Sequence, residues 1–400
     1  MNGKVIAVAV VAVLLVAGGV GTYFLLKDDG YEASYDGASY NIVGRVNSEG
    51  SGLYVKNSVA AEVGGQMVNK SNNVPFFGDG FSLSKDNKDA WGGLVFADPG
   101  AASIQHTQMA QIADEVGLKF KALEAGESKN ADTLYYITNI SSASIVETRK
   151  AEIDGGIIWE PQFQKIIQEQ TATFTTLALT NDVFDGHTCC IVAANHDWAG
   201  NNSDTLVKFL AGYTEAVNFI NNAKANPTGA DYAYLVEFAK GITAGLSDAE
   251  VRAALSTVTY VAADDDDGSL GDLTDDIKNL SSDLKDLGLI TSDKFKEPEN
   301  FAKAIVDDKY MKDAMGGKAS KEGTATVDVA VISGDIHQLA IHVAKDKGYF
   351  EKYGLTVNLS TGSNGNEVAD LLISKDVNMG FLGAPPATLK TINGDHIIIK

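Results

Sequence analysis

The sequence predicts a two-lobed α/β protein with mixed, mostly parallel sheets behind an N-terminal transmembrane helix, and three observations predict it. Four hundred residues at 44% hydrophobic content suffice for one large core or two medium ones. Strand-length apolar runs alternate with helical periodicities, the pattern of parallel strands covered by helices on both faces. Residues 5–26, VIAVAVVAVLLVAGGVGTYFLL, carry no charge and are long enough to span a bilayer.

From the N-terminus, the apolar stretch exceeds the usual core of a cleaved signal peptide, so residues 1–27 are expected to stay as a signal anchor. Lys4 lies before it and Lys27-Asp28-Asp29 after it, a bias that puts the N-terminus in the cytoplasm and the rest outside the cell membrane. Residues 28–39 are polar, contain glycine and lack apolar periodicity, as in a flexible tether. Residues 40–400 then form the globular part, with 191–400 plus 40–56 expected as one lobe and 57–190 as the other.

Composition excludes several functions. A formal charge of −21 with only three arginines argues against nucleic acid, whose phosphates demand clustered cations. The two cysteines, Cys189 and Cys190, are sequence neighbours that close a disulfide only with strain, and read as small buried residues of a strand. The acidic run Asp264–Asp267 lacks the ligand spacing of a calcium loop, and His337 and His342, five apart, do not share a helical face, so no metal site is expected.

The C-terminal region is the clearest. TVDVAVIS (Thr326–Ser333) reads as a strand covered on both faces, and Ile336, Leu339, Ala340, Val343 and Ala344 recur at helical spacing until Gly348. Leu355–Ser360 is a second strand, the turn TGSNGN leads to a helix from Glu367, Val377–Gly383 is a third strand, and Pro385 opens a third helix. Longer helices are expected over 203–222, 231–246 and 273–287, and a strand over Tyr40–Val46.

GDIHQLAIHVAKDKGYFEKYGLTVNL resembles the nitrate/sulfonate/taurine family of ABC-transporter solute-binding proteins, above all in the phrase Gly348 to Leu355. VNMGFLGAPPA, RVNSEGSGLYV (Arg45–Val55), ADPGAAS (Ala97–Ser103), GGIIWEP (Gly155–Pro161) and Ile191–Ile220 resemble further landmarks. The resemblance implies two α/β lobes, the type II periplasmic-binding-protein-like fold, around a ligand cleft. Its order is unusual. The Gly-Tyr-Phe phrase belongs near the start of such proteins, so the chain reads as a circular permutation, with a truncated chain or one that borrows these first units from a neighbour as the alternative; on the first reading residues 40–46 and 396–400 are expected side by side in one sheet.

Ligands in such sheets sit beyond strand ends at helix starts. The resemblance implies ligand contacts at Asp335, His337, Gly362, Ser363, Ala384, Ser51, Ser103 and Trp159, and the turns that hold them add Asn364, Glu49, Asp98 and, next to Trp159, Glu160 as candidates. Gly, Ser, Asn and Asp are also ordinary turn and cap residues. The acids Asp335, Glu49 and Glu160 favour a zwitterion or an amine-bearing organic molecule, such as a taurine-like sulfonate or a thiamine-precursor pyrimidine, over a bare anion such as nitrate. No cofactor and no enzymatic activity are expected, and the implied partners are an ABC permease and its ATPase, met by a monomer. Two alternatives stand beside this reading: a pyridoxal-phosphate-dependent pyrimidine synthase of the same fold, with Cys189-Cys190 as its faint echo, and a ligand-sensing ectodomain.

Overall fold

Strand β1 (Tyr35–Ala38) leads without a loop into β2 (Tyr40–Glu49), and β2 is buried along its whole length because it runs through the middle of a sheet. A computed structural model describes residues 35–60, 63, 86, 88–184, 186–243, 245–261, 272–394 and 396–399. The expected membrane anchor (1–27), most of the expected tether (28–39) and the acidic run 264–267 lie outside them. Among the described residues no helix is long and apolar enough to cross a membrane.

The remaining strands are β3 (Ser51–Lys56), β4 (Val95–Ala97), β5 (Lys119–Ala122), β6 (Thr133–Ile137), β7 (Gly155–Trp159), β8 (Phe174–Leu179), β9 (Thr188–Asn195), β10 (Val258–Tyr260), β11 (Ala325–Ile332), β12 (Leu355–Gly362), β13 (Met379–Gly383) and β14 (Ile397–Ile399). They form two six-stranded sheets, ordered β10-β2-β9-β13-β11-β12 and β5-β6-β4-β7-β3-β8, and a ribbon of β1 with β14.

Alternation along the strands gives each sheet two apolar faces. In the first sheet Val43, Val46, Val192, Ala194, Val327, Val329 and Val331 pack under the helices Ser203–Ala225, Ala230–Thr243 and Leu339–Asp346. Ile42, Ile191, Ala193 and Ala330 point the other way, to Leu273–Asp286, Pro298–Ile305, Gly365–Ile373 and Ala384–Asn393. The second sheet repeats the device, with Leu53, Phe96, Leu134 and Ile157 on one face and Tyr54, Val95, Ala97, Tyr135 and Ile158 on the other. Period-two side chains with both faces buried are what a near-continuous apolar strand such as β9 requires.

Three expectations need correction. The sheets are mixed in equal measure: β11 runs parallel to β12 and β13, and β4 to β6 and β7, but β2, β9 and β13 pair antiparallel, as do β3, β7 and β8. Strands that enter from the opposite lobe arrive head-on, which makes these pairs antiparallel. Residues 51–56 leave the first lobe, since β3 pairs with β7 and β8 of the second sheet. Ser39, just before Tyr40, donates its N–H to the His396 carbonyl at 3.0 Å, which brings the start of β2 near residue 396. Residues 40–46 and 396–399 are not strands of one sheet, however: β14 pairs with β1 while β2 pairs with β9 and β10.

Candidate functional site: a cleft between the two sheets

The chain passes from the first sheet to the second across a single residue, Gly50, between β2 and β3. Glu49 and Gly50 both take left-handed φ, 65° and 86°, and a glycine carries the more strained of the two positions at no Cβ cost. The Gly50 carbonyl accepts from Glu160 N at 2.9 Å and from His337 Nε2 at 2.8 Å, so both lobes grip the crossing. The chain returns to the first sheet between β8 and β9, where Thr180 Oγ1 donates to the Ser51 carbonyl at 3.1 Å.

His337 sits in the 3-10 turn Ile336–Gln338 beyond the end of β11 and is buried. Its Nδ1 lies 2.7 Å from Asp335 Oδ1. Burial alone would lower its pKa, but the Asp335 carboxylate, the Cys189 sulfur and the Gly50 carbonyl outweigh burial and push it up to about 10. Acceptors at both ring nitrogens make it an imidazolium that donates twice.

Around this pair lies a cavity of about 600 Å³, within the range of small-molecule sites. One wall comes from the second sheet's side, residues 99–105 with Asn139, Trp159 and Gln162. The other comes from the first, Cys189, Cys190, the turn 332–335, residues 363–366 and Pro385-Pro386. Three helices begin at its edge: Ile104–Glu115 capped by Ser103, Gly365–Ile373 capped by Asn364, and Ala384–Asn393. Such starts place positive partial charge at the opening. Pro385 and Pro386 have no N–H, so the third supplies shape more than donors. Among the described residues no Lys or Arg lines the cavity.

Of the residues expected at the ligand, Asp335, His337, Ser363, Asn364, Ser103 and Trp159 stand in this wall. The other six do not. Gly362 ends β12 and its carbonyl accepts from Ser333 N. Ala384 is packed in the core behind Gly383. Glu49 Oε1 accepts from Gly186 N at 3.1 Å, Ser51 Oγ accepts from Gln105 Nε2 at 2.8 Å, and Asp98 is taken up by His106 Nδ1 at 2.9 Å and Gly100 N at 2.8 Å. Glu160 faces Thr257 and Gln164. Gln105, Asn139 and Gln162 reach the wall without any mark in the sequence, and so does the Cys189-Cys190 pair, which had read as plain core.

Local acidity does not select the ligand in this geometry. Asp335 is neutralised by His337, and Glu49 and Glu160 point elsewhere. The wall holds one internal ion pair and the starts of three helices, a setting that accepts an anionic group.

Glu160 ties the lobes together: Oε1 accepts from Thr257 Oγ1 at 2.9 Å, at the end of the helix leading into β10, and from Gln164 Nε2 at 3.1 Å. Burial dominates over these bonds and pushes its pKa up to about 7. The folded state therefore binds a proton more tightly than the unfolded chain between pH 4.5 and 7, and stability falls as pH rises through that window. At pH 8 the ionised group carries a cost of roughly 3 kcal/mol. Glu160→Gln is expected to abolish most of the fall in urea midpoint between pH 4.5 and 7; an unchanged slope in the variant rules the assignment out. His337 acts in a separate window, its contribution complete below pH 6.5 and lost as pH rises through about 10.

No curated protein matches the chain. Two crystal structures are similar at low identity. The ligand-binding component of an ABC-type import system from Staphylococcus aureus, solved with zinc bound, is 11% identical over 70% of this chain and 75% of that one, with a TM-score of 0.39. The periplasmic nitrate-binding protein NrtA from Synechocystis PCC 6803 is 12% identical over 70% of this chain and 68% of that one, with a TM-score of 0.47. Residues 336–398 match the NMT1/THI5-like family, and they follow a longer match, the order expected of a rearranged chain. That longer match, to residues 16–233, spans more than half of the sequence, and the protein belongs to the NMT1-like family.

Proposed function

We propose that the protein is the extracytoplasmic solute-binding component of an ABC importer, a carrier and not an enzyme, which takes a small polar organic anion or zwitterion into the cleft between its sheets. The observation that carries this reading is the cavity of about 600 Å³ at the crossing point, edged by helix starts and, among the described residues, lined by no Lys or Arg. Main-chain dipoles at the helix starts hold an anionic group there, with the Asp335–His337 pair as a neutral part of the wall, and Trp159 offers an apolar face to an organic body. Family membership supports import, and the apolar stretch 5–26 supports tethering outside the membrane beside a permease and its ATPase.

Taurine and other sulfonates, nitrate, and an aminopyrimidine are the compounds to present to the full chain in a thermal-shift series. A fitting ligand at 100 times its Kd stabilises by about 2.7 kcal/mol and raises the melting temperature accordingly. Trp159→Ala is expected to remove that shift while leaving the ligand-free melting temperature within a few degrees. If every compound leaves the melting temperature unmoved at millimolar concentration, or if Trp159→Ala responds like the parent, the cleft is not the binding site.

A further inference from the structure

Cys189 and Cys190 are consecutive on β9, where side chains ordinarily alternate between faces, yet both stand in the wall of the cleft. The cause is local. β2 pairs Asn47 with Cys190 and Ser48 with Thr188, leaving Cys189 as an extra residue without a partner across the ladder. A bulge of this kind bends the strand and re-aims its side chains. The two Sγ atoms come within 3.7 Å of each other, both residues only 5% exposed and neither oxidised.

That separation is chemically informative. A disulfide needs its sulfurs about 2.05 Å apart, so the present arrangement is far from one. Two bonds of about 2.3 Å from sulfur to a shared atom span at most about 4.6 Å. Sulfurs in van der Waals contact at 3.7 Å therefore lie within reach of one guest atom. The contact with the Cys190 sulfur, with the nearby His337 charge, lowers the Cys189 pKa against burial. Among the described residues no group of three or more His, Cys, Asp or Glu side chains could hold a metal ion. The fitting guest is therefore a soft atom that needs two protein sulfurs and brings its remaining substituent with it.

We infer that Cys189 and Cys190 form a vicinal dithiol site in the cleft wall that chelates thiophilic species of the trivalent-arsenic class. With an arsine oxide, two As–S bonds form, the arsenic–oxygen double bond is lost, and both thiol protons leave with that oxygen as one water. No electrons are transferred and no co-reactant is needed. The inference requires the cavity and its two sulfurs, and it is independent of the importer's cargo.

The chain has no other cysteine, so every sulfur adduct is assigned by mass alone. The full chain, reduced and folded, is treated with one equivalent of phenylarsine oxide, desalted, and weighed intact. One phenylarsenic unit is expected, with both thiols lost to a disulfide titrant, resistant to a monothiol and released by a dithiol. Cys189→Ser and Cys190→Ser are each expected to weaken retention at least about 100-fold, the scale of a lost second attachment. Retention in either serine variant equal to the parent's overturns the inference. So does an adduct that forms on the urea-unfolded chain but not on the folded one, a comparison that needs no variant and is unaffected if one fails to fold.

Discussion

Replacing Arg45 by methionine is expected to lower stability by roughly 2–3 kcal/mol, below the full penalty for breaking a buried ion pair because the Asp276 side chain is 25% exposed. Arg45 lies on β2, an interior strand of the first sheet, and is fully buried. Its Nη2 meets Asp276 Oδ2 at 2.7 Å and its Nε donates to Thr188 Oγ1 at 2.6 Å, while that hydroxyl donates to the same carboxylate oxygen at 2.6 Å. Three elements, β2, β9 and the helix Leu273–Asp286, are thus joined by one charged triangle. Burial already raises the Asp276 pKa in spite of its partners, and without the guanidinium the carboxyl is left beside an apolar side chain. Urea midpoints at pH 7 measure the loss. The double variant Arg45→Met with Asp276→Leu is expected to recover most of it, because the surviving buried charge is the larger part of the penalty. A single-variant loss below about 1 kcal/mol would show that water reaches the triangle, and the account would fail.

The contrast between what the sequence disclosed and what it concealed follows from the range of the forces involved. The strand Ala325–Ile332 and the helix after it were legible because burial on two faces writes a continuous apolar run and burial on one face writes a helical period. The helix starts at Ser103 and Asn364 were legible as cap residues, and both caps form, Ser103 Oγ accepting from His106 N and Asn364 Oδ1 from Asn366 N. Relations between distant segments were not legible. Nothing local to Glu49 states that its carboxylate turns to Gly186 rather than to the cleft, and nothing in the dipeptide Cys189-Cys190 states that a missing partner on β2 will swing both sulfurs to one side. The acids near the cleft misled for the same reason: a residue's charge is in the sequence, but whether a histidine two positions on cancels it depends on a turn and on a carbonyl from another lobe.

Gly50 concentrates such long-range dependence in one residue, and Gly50→Ala is expected to be strongly destabilising and to reach the cleft. Two penalties add. A non-glycine residue at φ 86° carries backbone strain of roughly 1–2 kcal/mol. The new Cβ would also stand 2.9 Å from Val258 Cγ2 and 2.8 Å from His337 Cδ2, distances that force the imidazole to move. Moving it breaks the hydrogen bond from Nε2 to the Gly50 carbonyl and disturbs the Asp335–His337 pair in the cleft wall. Gly245, with φ 87° and no described atom within 4 Å of the place a methyl would take, isolates the first penalty. Gly245→Ala is accordingly expected to cost only the strain, whereas Gly50→Ala costs at least about 2 kcal/mol more by the overpacking term. The two also differ in pH dependence. The decline in stability between pH 6.5 and 10 that His337 confers should shrink in Gly50→Ala and persist in Gly245→Ala, since only the former removes an acceptor of the imidazolium. Equal urea midpoints and equal pH slopes for the two alanine variants would mean that the crossing residue is an ordinary turn and that His337 does not brace the lobes against each other.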